Sequence, residues 1–267
     1  MKKILLIIVS FSFLISSFQI LNDRNTNKVS TIFTFPKSPN HPKDKVYLHI
    51  FNSYTDSISR VFEMKLVPEN WRGNNKPYYK AIINNENLIG YYYGFEIHNF
   101  DSTSQQFPQS TIIADPFSKA IASQNHYSPI NKSIIIDSNF DWEDDQSLKI
   151  NPRELIIYEA HIKDMTAHPS SGVSNKIAGT YMGFIEEIQN GGIQHLKEMG
   201  YNAVEFLPIF EFANIELPFK DSTQFITNIW NPYEENHWGY MPSFFFAPEG
   251  NYASNSSKKR GDWNGIH

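Results

Sequence analysis

The stretch from Leu155 to Pro208 constrains the fold more than any other part of the chain. Leu155-Ile156-Ile157-Tyr158-Glu159-Ala160-His161 has the length of a strand and the composition of one buried on both faces. Between Gly191 and Met199, apolar side chains recur at Ile193, Leu196 and Met199, a helical spacing that stops at Gly200. Ala203-Val204-Glu205-Phe206-Leu207-Pro208 then reads as a second strand. Strand, helix and strand in this order predict a βαβ unit, the repeat of a parallel sheet or barrel.

The preceding region has a different pattern. Val46 to Phe51, Ser59 to Val67, Tyr78 to Ile83 and Tyr91 to Ile97 are short β-rich runs. Turn-rich pieces such as Trp71 to Asn75 and Asn84 to Asn87 separate them. Strands at this spacing predict an immunoglobulin-like β-sandwich over residues 45–150. Asn22 to Asp44, polar and punctuated by Pro36, Pro39 and Pro42, is expected to be irregular, giving a leading segment or linker over 18–44. Lys2 and Lys3, the apolar run Ile4 to Ile15, and Ser16-Ser17 have the order of an export signal over residues 1–17. The run is short for a transmembrane span. The expectation is a secreted or periplasmic protein with no stable membrane insertion after cleavage.

Composition excludes several classes. A net charge of −5 offers no basic stripe, so no nucleic-acid partner is expected. The absence of cysteine removes disulfides, thiol catalysis and thiolate-bound zinc. No phosphate loop, His-Glu-x-x-His helix or Gly-x-Ser-x-Gly elbow occurs. Aromatics reach 15%, and their flat faces serve either a core or a ring-shaped ligand.

Several segments carry a resemblance. Tyr158-Glu159-Ala160-His161-Ile162-Lys163-Asp164-Met165 resembles the first barrel strand of pullulanases and isoamylases, and Gly179 to Phe184 the loop that follows. Gly192 to Gly200 is similar to the first helix of that family, and Val204 to Phe212 to its second strand. Asn236-His237-Trp238-Gly239-Tyr240-Met241-Pro242, with Phe246 to Tyr252, carries the most specific likeness. Upstream, Asp115-Pro116-Phe117-Ser118-Lys119-Ala120 resembles the stretch that closes the carbohydrate-binding module of debranching enzymes. The family is the α-amylase superfamily of glycoside hydrolases, debranching branch. It implies a multidomain β plus α/β protein: the immunoglobulin-like β-sandwich followed, over 151–267, by the first strands of a truncated (β/α)8 TIM barrel.

The resemblance implies a hydrolase of α-glucans such as pullulan, amylopectin or glycogen, cleaving α-1,6 branches. Retaining hydrolysis takes two carboxyl groups about 5 Å apart. A full barrel takes roughly 250 residues, and the family's nucleophile and acid/base motifs are absent from this chain. No catalytic residue is therefore assigned, and the 267 residues are expected to be an inactive, poorly soluble fragment. The alternatives are a non-catalytic glucan-binding protein, an α-1,4 amylase or a branching transferase.

By the same resemblance, Tyr240 stacks on a sugar ring, with Trp238, His237 and His161 around it as substrate-binding residues. Glu159, Asp164, Glu205, Glu211 and Glu249 fall in or near strand ends and are assigned to pairing or to loop-backbone hydrogen bonds. Trp71, Trp142 and Trp230 are assigned to core packing or loop anchoring. No cofactor is evident and no residue is assigned as a metal ligand. Calcium occurs in some members of the family, but no cluster of oxygen ligands for it is located in the sequence.

Overall fold

The structure, a computed structural model, describes residues 5–7, 18–23, 28–37, 45–68, 76–98, 112–122, 131–137, 141–146, 148–187, 190–212 and 236–254. The chain divides into two compact units, one drawn from residues 14–138 and the other chiefly from 139–267 together with the first strand. Among the described residues, no helix is long and apolar enough to cross a membrane.

The first unit is built from two antiparallel sheets. Strands β2 (Phe18–Asp23), β3 (Lys28–Pro36), β7 (Tyr78–Asn84) and β6 (Lys65–Val67) form one, in the order β2-β3-β7-β6. The other runs β10-β11-β8-β4-β5, with β9 also paired to β8. Its strands are β4 (Lys45–Phe51), β5 (Arg60–Glu63), β8 (Tyr92–His98), β9 (Ile112–Ile113), β10 (Ile121–Ala122) and β11 (Lys132–Ile134).

Alternation sends Phe33, Tyr79, Ala81 and Ile83 from the first sheet, and Val46, Leu48, Ile50, Tyr93 and Phe95 from the second, into one shared core. The sheets meet ring to ring: Phe33 lies 5.3 Å edge-on to Tyr93, and Phe35 lies 4.8 Å from Phe95. The apolar run Ser59 to Val67 serves both sheets. Arg60–Glu63 pairs with β4, the buried Met64 donates its amide to the Val46 carbonyl (2.9 Å), and Lys65–Val67 pairs with β7. At Gly94 a Cβ would fall 2.6 Å from Ile112, so the glycine admits β9 against β8.

Buried polar groups knit this unit together. The Tyr93 hydroxyl donates to Asp115 (2.6 Å), whose other carboxylate oxygen accepts the Phe117 amide (2.9 Å). Lys132, 3% exposed, donates to the Tyr54 and Asp56 carbonyls at 2.7 and 2.5 Å. Its ammonium lies 3.8 Å over the Phe51 ring. Burial pushes its pKa down against the pull of Asp56.

One expectation is corrected here. The stretch 18–44 is not all a linker, because β2 and β3 lie within it and place Phe18 and Phe33 in the core. Val29, Thr31, Phe33 and Phe35 alternate as a half-buried strand requires, and the prolines stand at or beyond its end.

The second unit contains the βαβ arrangement. Strands β12 (Ile157–Ala160) and β13 (Ala203–Phe206) pair in parallel, with α2 (Gly192–Glu198) between them in the chain. Leu196 of α2 is buried with Ala160, Ile162, Phe184 and Val204. β1 (Leu5–Ile7), inside the stretch expected to be an export signal, runs parallel to β13 on its other edge. Gly179 to Phe184, expected as a loop, contains the start of a short helix, α1 (Tyr181–Ile185), capped where the Thr180 hydroxyl accepts the Gly183 amide. β14 (Phe210–Phe212) and β15 (Pro242–Pro248) form an antiparallel pair. β12 is less buried than its composition suggests. Ile156 and Ile157 are 54% and 47% exposed, because a strand's second face is buried only where a further layer covers it.

Candidate functional site

The side chains that carry chemistry in the second unit collect where β12 ends. His161 follows the last residue of β12 and is buried. Its Nδ1 accepts the Asp164 amide at 3.3 Å and stands 3.4 Å from an Asp164 carboxylate oxygen. Its Nε2 lies 2.9 Å from the Tyr252 hydroxyl, a group that can donate or accept. Burial lowers the His161 pKa; Asp164 acts against it, and His237 acts both ways, its charge lowering the pKa and a backbone hydrogen bond raising it.

His237 brings the second imidazole. Its Nε2 lies 2.9 and 3.2 Å from the two Asp164 oxygens, and its ring centre is 4.7 Å from that of His161. Trp238 is edge-on to both rings, at 5.9 Å from His161 and 5.2 Å from His237. His161, Asp164 and His237 offer three ligand atoms that lie within 4.8 Å of one another. The sequence assigned no metal ligand, and this cluster was hidden because His237 stands 73 positions from Asp164.

The turn from Asn236 to Met241 is fixed from inside. The Asn236 side chain accepts the Gly239 amide at 3.2 Å and donates to the Tyr240 carbonyl at 2.9 Å. Gly239 has φ of +73°, and a Cβ there would meet the Phe212 ring at 2.7 Å. Met241, with φ of +63°, is a left-handed non-glycine residue. This frame leaves Tyr240 56% and Trp238 51% exposed, with Met241 and Phe245 also exposed. Exposed apolar groups on one short stretch are the signature of a contact surface for a ligand.

Beneath lies a buried carboxylate pair. Register shifts on either side of Glu211 mark β14 as irregular there, and Glu211 is 1% exposed. Its carboxylate accepts the Gly250 amide at 3.0 Å. Glu249, also 1% exposed, accepts the Phe212 amide at 3.1 Å and the Asn251 amide at 2.8 Å. Burial, then the neighbouring Glu211, push the Glu249 pKa well above the ordinary range. The Tyr181 hydroxyl, donating to the Ile209 carbonyl at 3.3 Å, is likewise held neutral by burial and by Glu249. Both carboxylates are thus engaged by loop backbone. Glu159 and Glu205, by contrast, are exposed neighbours in the parallel ladder. Trp142 is 66% exposed, outside the apolar cores. Trp71 and Trp230 lie outside the described residues.

One unit thus holds a parallel βαβ arrangement with an aromatic turn near its strand exits, and the other holds two antiparallel sheets. The chain is similar in sequence to proteins named isoamylase and pullulanase. It is 35% identical over 178 residues to isoamylase 3, chloroplastic, of Oryza sativa subsp. japonica, a match covering 62% of this chain and 21% of that protein. It is 37% identical over 111 residues to the pullulanase of Bacillus subtilis (strain 168), covering 39% of this chain and 14% of that one. The crystal structure of pullulanase type I from Bacillus subtilis str. 168, complexed with maltose, superimposes with a TM-score of 0.60 at 26% identity. That match covers 87% of this chain and 28% of the pullulanase. No family model matches the chain. The chain spans about a fifth of the length of the isoamylases it matches.

Proposed function

We propose that this chain is part of a retaining α-glucan debranching hydrolase, with the Asn236–Met241 turn forming a wall of its sugar site. On this reading the two-sheet unit is an immunoglobulin-like, carbohydrate-binding-module-like sandwich. The β12-α2-β13 unit is the opening of a (β/α)8 barrel, with residues 1–17 an export signal. The observation that carries the proposal is Tyr240: an aromatic ring more than half exposed, on a turn pinned by Asn236 and Gly239, in a homologue of debranching enzymes. An exposed ring on a rigid turn offers its flat face to the apolar C–H face of a pyranose at little entropic cost.

The substrate class is an α-1,4-linked glucan carrying α-1,6 branches. The relatives are named isoamylase, pullulanase and glycogen operon protein, and the pullulanase structures hold maltose and longer maltooligosaccharides. The two carboxylates of the mechanism are not assigned to Glu211 and Glu249, since both are committed to backbone amides and fully buried.

The test is maltotetraose binding to the 267-residue chain by calorimetry. Binding is expected, with Tyr240→Ala weakening it about tenfold, the equivalent of about 1.4 kcal/mol. No release of reducing ends from pullulan is expected from the same material. Unchanged affinity in Tyr240→Ala would remove the turn from the sugar site.

A further inference from the structure

We propose that His161, Asp164 and His237 form a site for a divalent d-block cation of the zinc type, clasping the aromatic turn to the exit of β12. The proposal does not depend on the glucan reading, because it rests on the three side chains alone.

Two imidazoles and one carboxylate are the ligand set that suits such ions, whereas calcium and magnesium take oxygen ligands. Zinc bonds of about 2.0–2.2 Å require ligand atoms within roughly 4 Å of each other. The Asp164 oxygens stand 2.9 and 3.2 Å from His237 and 3.4 Å from His161, inside that limit. The full set lies within 4.8 Å, so a shift of under 1 Å by the partly exposed His237 completes it.

Preparation of His161 is the stronger argument. A metal-bound histidine keeps one bare nitrogen for the ion and donates the other N–H to an orienting partner. His161 can take that form, with Nδ1 accepting the Asp164 amide and Nε2 at 2.9 Å from the Tyr252 hydroxyl, which can accept its N–H. Tyr252 is itself buried against Tyr181 and Phe212, so its hydroxyl is held in place. At Nδ1 the ion competes with the Asp164 amide, a long bond at 3.3 Å. Asp164 and His237 are 47% and 41% exposed, so an ion has access from solvent and room for water as further ligands.

The ion would act as a clasp. His161 and Asp164 follow β12, and His237 belongs to the turn that carries Trp238 and Tyr240. Joining them fixes the turn through bonds stronger than the Asp164–His237 ion pair, which is open to solvent and weak by itself.

Cobalt(II) chloride alone is the probe, titrated at pH 7.5 into the 267-residue chain stripped with chelator. One equivalent should bind, with visible d–d bands of a mixed nitrogen–oxygen site and a rise in the melting temperature. His237→Ala and Asp164→Asn should each remove the bands, and Tyr252→Phe should weaken binding about 10- to 100-fold. His237 is exposed enough for its removal to leave the fold intact, which circular dichroism checks. Absence of bands at millimolar cobalt, or bands that survive His237→Ala, would overturn the proposal.

Discussion

The two units bury carboxylates in opposite company. In the two-sheet unit, Glu96 sits between His49, whose Nε2 is 2.8 Å from one oxygen, and His98, 2.9 Å from the other. Burial raises its pKa, but the contacts to His98 and His49 outweigh burial and leave it lowered. In the parallel unit, Glu249 faces another carboxylate and burial together, and its pKa rises. The same side-chain chemistry therefore gives opposite pH slopes, because the neighbours decide which charge state folding favours.

The largest effect that sharpens this contrast is in the core. Phe33 is fully buried at the meeting of the two sheets, and Phe33→Ala should cost about 3–5 kcal/mol. Each unit has its own apolar cluster, so two transitions are expected in urea, and this variant should move only that of the two-sheet unit. With that unit unfolded first, the pH dependence of the parallel unit is read alone. A single transition moved as a whole would show that the units do not unfold separately.

Next comes Glu249. Its folded pKa lies above its unfolded value, so the folded state holds the extra proton between the two. Stability is then greatest below the ordinary glutamate pKa and falls as pH rises toward the elevated one. Glu249→Gln should flatten that fall. It should also cost about 1–3 kcal/mol at low pH, because an amide has one acceptor oxygen for the two backbone donors, Phe212 and Asn251. A variant that keeps the wild-type slope would place the titrating group elsewhere.

The same contrast shows what the sequence makes legible. Strands β4, β7 and β8, and the β12-α2-β13 order, follow from alternation and helical spacing that a single segment displays. Strands β2 and β3 were obscured because prolines at 36, 39 and 42 outweighed the alternation of Val29 to Phe35. The pairing of β14 with β15 joins residues some thirty positions apart, and no local period encodes it. The site divides likewise. Tyr240 stands out through the pattern around it, whereas the His161–Asp164–His237 cluster and the Glu211–Glu249 pair exist only after distant segments meet. Residue type marks candidates; separation along the chain hides their partners.

The smallest expected effect tests the other half of the contrast. Glu96 carries a lowered pKa, so its stabilisation is fully present above the ordinary glutamate value and is lost as pH falls through the lowered one. Glu96→Gln should therefore cost under about 1 kcal/mol at pH 7, where Glu96 is ionised, and less near pH 3, where its lowered-pKa stabilisation is lost. Urea titrations of the two-sheet transition at both values provide the measurement. An equal cost at the two would mean that Glu96 serves His49 and His98 as a hydrogen-bond acceptor only, and that the opposed pH slopes of the two units do not arise from charge pairing.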